Sequence, residues 1–472
     1  MQSKYSNYLF LISFCSVFLT LAAGGRIVGS TEIFTIILLI PTLYFLFIND
    51  YSSTKQSILA KKLLNCFLIL FVISIFQLLP LPLSLLKIFA APAFDAYQNV
   101  SAEQLFISVS PHLTINALVW MFTLGIVAYT LTKAPVYPAN RTNWIQTSCN
   151  LVEDNISATL EYLIIFTGLL TAYVALAHYL FSIESLFGLI NFDYLFRYTP
   201  RAHFPLTNPN HLAFLLEFTL PFVYLRFFVS CLDYFEKNLS DFVKRKRKQT
   251  LIFWFFNTIV LLVTLFISMS KAGIFLSLLG AAYFLWIVVN KYKVKLKQQI
   301  TVTRADYYNR LFILGLILAL FIISIAVLIL VVLGDPGQDS LTRRFERAAV
   351  EGVDSGRVVF SQISIEALKQ SPLFGYGLGC WHLAVAPFKT KQIAMWRLDY
   401  AHSDFLQLAV ELGIFALFAV LYGVYYIFKS ILRDCKERKE NTLAYLREVA
   451  YLLSFSLPII HANFEFPFHA QL

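Results

Sequence analysis

Apolar runs long enough to cross a ~30 Å hydrocarbon core recur along nearly the whole of this 472-residue chain, and they constrain its fold more than any motif does. Eleven are read, near residues 8–23, 33–48, 63–79, 115–131, 162–181, 212–231, 251–267, 274–289, 311–333, 405–428 and 449–464. The composition agrees: 58% of residues are hydrophobic, 14% are charged and mean hydropathy is +0.67, where soluble domains carry about 25% charge. The expected fold is an all-α polytopic membrane protein of about 11–12 transmembrane helices with one large loop. It divides into N-terminal helices (1–199), central helices (200–333), a loop subdomain (334–403) and C-terminal helices (404–472).

The net charge of +10 and the run Lys244-Arg245-Lys246-Arg247-Lys248 raise the question of nucleic acid. The placement of the charge answers it. With a cytoplasmic N-terminus, the inner loops hold 23 basic residues and the short outer loops hold five: Arg26, Lys87, Arg197, Arg201 and Lys271. This asymmetry is the positive-inside pattern, so the basic balance reflects orientation and contact with anionic membrane lipid, not nucleic acid. Small residues at 21–24 resemble a cleavage site, but a second span follows at once, so the first is read as an uncleaved helix. The six cysteines show no paired spacing and imply neither a disulfide framework nor a zinc site.

The loop from Gly334 to Ala401 is far longer than the others and is expected to fold as an outer subdomain. Within it a helix is expected from Asp354-Ser355-Gly356-Arg357 through Val359, Ile363 and Ala367, ended by Pro372. Gly375, Gly377 and Gly379 follow. They read as a plain turn or as amides that cradle phosphate, although the spacing matches no nucleotide loop. The loop closes on Ala401-His402-Ser403-Asp404-Phe405-Leu406-Gln407, which opens an apolar run to Phe428. Ionisable groups at a membrane edge are costly and mark chemistry or transport; the plain alternative is that His and Asp cap a helix leaving the bilayer.

Seven of the eight histidines, including His112, His203, His211, His382, His402, His461 and His469, fall in or beside the expected outer segments, with His178 near an outer helix end. They suggest a hydrated outward cavity, or interfacial histidines without a shared role. Arg201, Lys271 in Ser268-Met269-Ser270-Lys271-Ala272-Gly273, and Arg357 lie on the same face. Each alone reads as snorkelling; together they form a candidate anion site, since an arginine fork binds two phosphate oxygens and lysine supplies a point charge. Glu217 and Arg226, inside spans, are read as a pair or as snorkelling side chains without chemistry.

Five ordered blocks resemble the bacterial O-antigen ligase and polymerase family: Arg201 to Pro221 around Asn208-Pro209-Asn210-His211, the turn Ser268 to Gly273, Pro372 to Gly379, His402-Ser403 with Gly413, and His461 to Gln471. The resemblance implies a polytopic glycosyltransferase of the GT-C type that takes a glycan from undecaprenyl diphosphate at the periplasmic side of the inner membrane. The acceptor would be lipid A core, another lipid-linked glycan or a protein hydroxyl. It implies His402 as general base, Arg201 and Arg357 on the diphosphate, and Lys271 where arginine is common. His203, Asn210, His211, Ser403 and Asp404 are supporting candidates. Ala416 stands where glycine is common, and relatives continue into one more span, so truncation at Leu472 is expected.

The chemistry is coherent without that resemblance. Charge on two phosphates can be met by arginines without a metal or other cofactor, and a histidine can take the proton of an acceptor hydroxyl near neutral pH. A ligase stands slightly ahead of a repeat-unit polymerase. A transporter or lipid-linked glycan flippase would place polar sites at the midplane of repeated halves, whereas here they gather at one face.

Overall fold

The structure is a computed structural model that describes residues 58–97, 105–132, 156–183, 201–206, 208–234, 240–298, 356–393 and 398–465. The expected spans at 8–23, 33–48 and 311–333 lie outside these residues. Among the described residues the chain is all helix, with no strand. In order they are α1 (Ile58–Phe76), α2 (Leu83–Phe89), α3 (Ala91–Tyr97), α4 (Pro111–Thr132), α5 (Ile156–Leu180), α6 (Pro209–Tyr234), α7 (Asp241–Ile267), α8 (Lys271–Gln298), α9 (Gly356–Gln370), α10 (Trp381–Ala384), α11 (Asp404–Leu412), α12 (Ile414–Glu437) and α13 (Thr442–His461). Seven of them, α1, α5, α6, α7, α8, α12 and α13, contain segments long and apolar enough to cross a membrane, and α4 holds a shorter apolar stretch. The protein is an all-α, multi-pass membrane protein.

Helix α6 is the axis of the bundle: 67% of its apolar window is buried, against 17% in α1. It packs against α5, α7, α8 and α13, and Leu212, Leu216, Leu220, Phe222 and Val223 carry its side of the main core. The helix starts where it does because Asn208 Oδ1 accepts the Asn210 amide at 2.8 Å and Pro209 takes the first helical position, where no amide proton is needed. Small residues let neighbouring helices approach: a Cβ at Gly280 would lie 2.7 Å from Leu457 of α13.

One expected span proves to be two helices. The apolar run beginning at Phe405 breaks at Gly413, whose φ of +83° ends α11 and starts α12. A Cβ there would sit 2.0 Å from Leu373 O, and the next amide, Ile414, donates to Pro372 O at 2.8 Å. Only glycine fits both the left-handed backbone and the close approach. The break makes α11 a short, strongly amphipathic helix under the loop subdomain instead of the first half of a span.

The loop helix α9 runs as expected from Gly356 to Gln370, before Pro372. Beyond it the glycine turn is a plain turn, because its amides are already used. Gly375 donates to Ser371 O, Gly377 to Glu411 O, Leu378 to Gln77 Oε1 and Gly379 to Glu411 Oε2. Gln77, at the end of α1, also donates to Phe374 O and Glu411 O at 2.6 and 2.7 Å, so the first described helix is pinned to the turn from about 300 residues away.

Candidate active site

Helices α6 and α13 are antiparallel neighbours, and at one end of the pair a single carboxylate gathers the polar side chains. Glu465, four residues past the end of α13, is 1% exposed. Its Oε1 accepts from Asn210 Nδ2 at 2.7 Å and from Arg357 Nη2. Its Oε2 lies 3.4 Å from His402 Nδ1. Asn210 Oδ1 in turn accepts from Arg201 Nη2 at 3.1 Å, and Arg201 Nε donates to Ser268 O at 2.7 Å. Arg201, Asn210, Arg357 and His402 thus meet although they lie as far as 200 residues apart in the chain. Burial alone would raise the Glu465 carboxyl, but the His402 hydrogen bond and the charges of Arg357, His402 and His211 outweigh it and hold the group below the ordinary glutamate range.

Each cation arrives by a local device. Arg357 opens α9, and Phe360, one turn on, stacks against His402 with ring centroids 5.4 Å apart. Ser268 caps the C-terminal end of α7, so its carbonyl is available to Arg201, and Lys271 opens α8 three residues later. His402 itself sits in the left-handed region at φ +54°, which costs a non-glycine residue about 1 kcal/mol or more. Strain of that kind persists where the surroundings over-determine it. Ala401 donates to Gln407 Oε1, Gln407 donates to Glu411, and the Asp404 amide donates to Ala462 O at 2.9 Å.

The helix-capping role belongs to Ser403, not to its neighbour. Its Oγ accepts from the Leu406 amide at 3.4 Å, leaving His402 outside the cap. Asp404 is buried in the first turn of α11. His211 follows Asn210, half-buried with its Nε2 inside the protein, and lies within electrostatic reach of Glu465, His461 and His402.

His178 and His203 both stack on Phe204, with centroids 4.2 and 4.7 Å away, and their Nδ1 atoms bond the carbonyls of Ile183 and Leu206. Burial holds the His203 imidazole below the ordinary histidine value. His112 pairs with Asn116 on α4, and His469 lies outside the described residues. Glu217 and Arg226 are not each other's partners. Glu217 Oε1 meets His461 Nδ1 at 2.8 Å, and Arg226 Nη2 meets Glu161 Oε1 at 2.6 Å.

Residues 256–421 match a family model described as O-antigen ligase. Over that stretch, about a third of the chain, the protein is similar to the O-antigen ligase family. Comparison with curated proteins gives no match. The matched domain supports a glycosyltransferase of the ligase or polymerase type. The matched stretch holds Lys271, Arg357 and His402, while Arg201, Asn210 and Glu465 lie outside it. Glu465 had no role in the sequence reading. The available signal was one acidic residue within an aromatic segment, Phe464-Glu465-Phe466-Pro467-Phe468, at the end of a span.

Proposed function

We propose that this protein transfers a glycan from undecaprenyl diphosphate to an acceptor hydroxyl, with lipid A core as the acceptor, at the periplasmic face of the bacterial inner membrane. The observation that carries the reading is the meeting of Arg201, Arg357 and His402 around Glu465. Two guanidinium groups bridged by Asn210 and Glu465 suit a diphosphate, which carries two adjacent anionic centres. Lys271 opens α8 beside the Ser268 carbonyl that holds Arg201. These cations take on the leaving-group charge, the role a divalent metal plays in other transferases.

In this reaction the acceptor oxygen forms a bond to the anomeric carbon as the bond from that carbon to the phosphate oxygen breaks. His402 takes the hydroxyl proton, and undecaprenyl diphosphate leaves with the electron pair. Glu465 on Nδ1 sets the ring so that Nε2 faces the acceptor, the arrangement by which a carboxylate orients a catalytic imidazole.

The orientation follows from charge. Helix α7 carries Lys244 to Lys248 in its first turns and ends next to Ser268. At 1.5 Å per residue its 27 residues span about 40 Å, which puts the basic run at the opposite end from Glu465. The positive-inside rule then directs the site outward. Purified protein incubated with a defined undecaprenyl-diphosphate glycan and lipid A core, glycan or peptide acceptors should yield the lipid A conjugate. Elongated lipid-linked glycan instead would make it a polymerase. Labelling of introduced cysteines in intact cells should reach position 340 and spare position 246.

A further inference from the structure

We propose that the buried pair Glu217–His461 is a positioning unit for the site, the second rung of a ladder whose first rung is Asn210–Glu465. Asn210 and Glu217 lie seven residues apart on α6, two turns along nearly the same face. His461 and Glu465 lie four residues apart at the end of α13. The two contacts, 2.7 Å for Asn210–Glu465 and 2.8 Å for His461–Glu217, therefore clamp the same two elements at successive levels. The turn between them also holds the catalytic segment, because Ala462 O accepts the Asp404 amide two residues after His402.

Both members of the inner rung are fully buried, and the Phe214 ring lies beside the His461 imidazole. Glu217 Oε2 and His461 Nε2 have no hydrogen-bond partner among the described residues, so the pair's direction rests on one hydrogen bond. A buried ionisable pair is weak as a source of stability, since apolar residues of similar volume often do as well. What apolar packing cannot supply is register. A slide of α13 along α6 would break this hydrogen bond and at the same time withdraw Glu465 from Asn210, Arg357 and His402. Pro458, three residues before His461, removes one amide from the helix ladder of α13 close to this rung.

The inference rests on the proposed function only for its turnover readout. The full-length protein in lipid nanodiscs is treated with diethyl pyrocarbonate, and the modification rate of His402 is followed by peptide mass spectrometry beside turnover on an undecaprenyl-diphosphate glycan. Glu217→Leu and His461→Leu should each speed His402 modification about threefold and lower turnover about tenfold, the usual scale for a lost orienting partner. Their combination should be no worse than either alone. Glu217→Gln keeps an acceptor for His461 Nδ1–H and should stay within about twofold of wild type on both readouts. If the Leu variants do not insert, Glu217→Asp replaces them, since it keeps the carboxyl group but withdraws it by one methylene and should also speed modification. A folded Leu or Asp variant with the wild-type modification rate overturns the inference, as does a Gln variant as impaired as Leu. If the modification rates follow the expected order but the wild type transfers no glycan, the proposed function falls and the positioning role stands.

Discussion

A buried carboxylate sits among cations at each end of the α6–α13 pair, and the two nodes differ in the groups that surround it. At the basic end Glu161 of α5, fully buried, meets Arg226 of α6 at 2.6 Å and Arg447 of α13 at 3.5 Å, and the Arg226 guanidinium lies 4.3 Å from the Tyr162 ring. The side chain of Arg226 is 17% exposed and that of Arg447 36%. At the other end the carboxylate is equally buried, but the Arg357 side chain is 49% exposed and His402 29%. The Glu161 node ties three helices together through two arginines. The Glu465 node sets an arginine and an imidazole, both partly exposed, on one carboxylate. In the proposed function, similar charge chemistry serves assembly at one end and recognition at the other.

The strongest test of that division is His402→Ala. Turnover should fall by roughly 10² to 10⁴ while the melting temperature and donor binding stay near wild type, measured on purified enzyme at matched concentration. Near wild-type transfer would remove the functional half of the contrast.

Glu161→Leu should do the reverse. It leaves Arg226 without its carboxylate in a buried setting and should cost about 3 kcal/mol of stability, seen as earlier thermal unfolding in detergent. Turnover per folded molecule should be unchanged. A variant that unfolds normally but transfers poorly would show that the two nodes are coupled.

Arg357→Lys keeps the charge and loses the fork, so donor affinity should weaken by about tenfold, or roughly 1.4 kcal/mol, while protein level holds. The same change at Arg201 should act in the same direction, and there it also removes the bonds to Ser268 O and Asn210.

The smallest effect is a pH dependence confined to the Glu465 node. The folded-state pKa of Glu465 is held below its ordinary value of 4.5. Its contribution to stability is therefore fully present above about pH 4.5 and is lost as the pH falls through the depressed value. In Glu465→Gln that acid-side loss should be missing when unfolding is followed from pH 6 to 3. An unaltered acid limb would mean that another group sets it.

Hydropathy alone determined that this chain is a helical membrane protein, because a segment of about 20 apolar residues has few other stable states. The helix α9 before Pro372 was legible for a similar local reason. Three things were not. The division at Gly413 depends on how closely Leu373 approaches it, and an apolar run carries no record of that contact. The sorting of the histidines, His402 to Glu465, His461 to Glu217, and His178 and His203 to Phe204, depends on which helices become neighbours. The place of Glu465 at the centre depends on α13 ending beside the first turn of α6, more than 200 residues earlier in the chain. Spacing in a sequence reports the faces of single helices, whereas a buried carboxylate acquires its role from the charges that other helices bring to it.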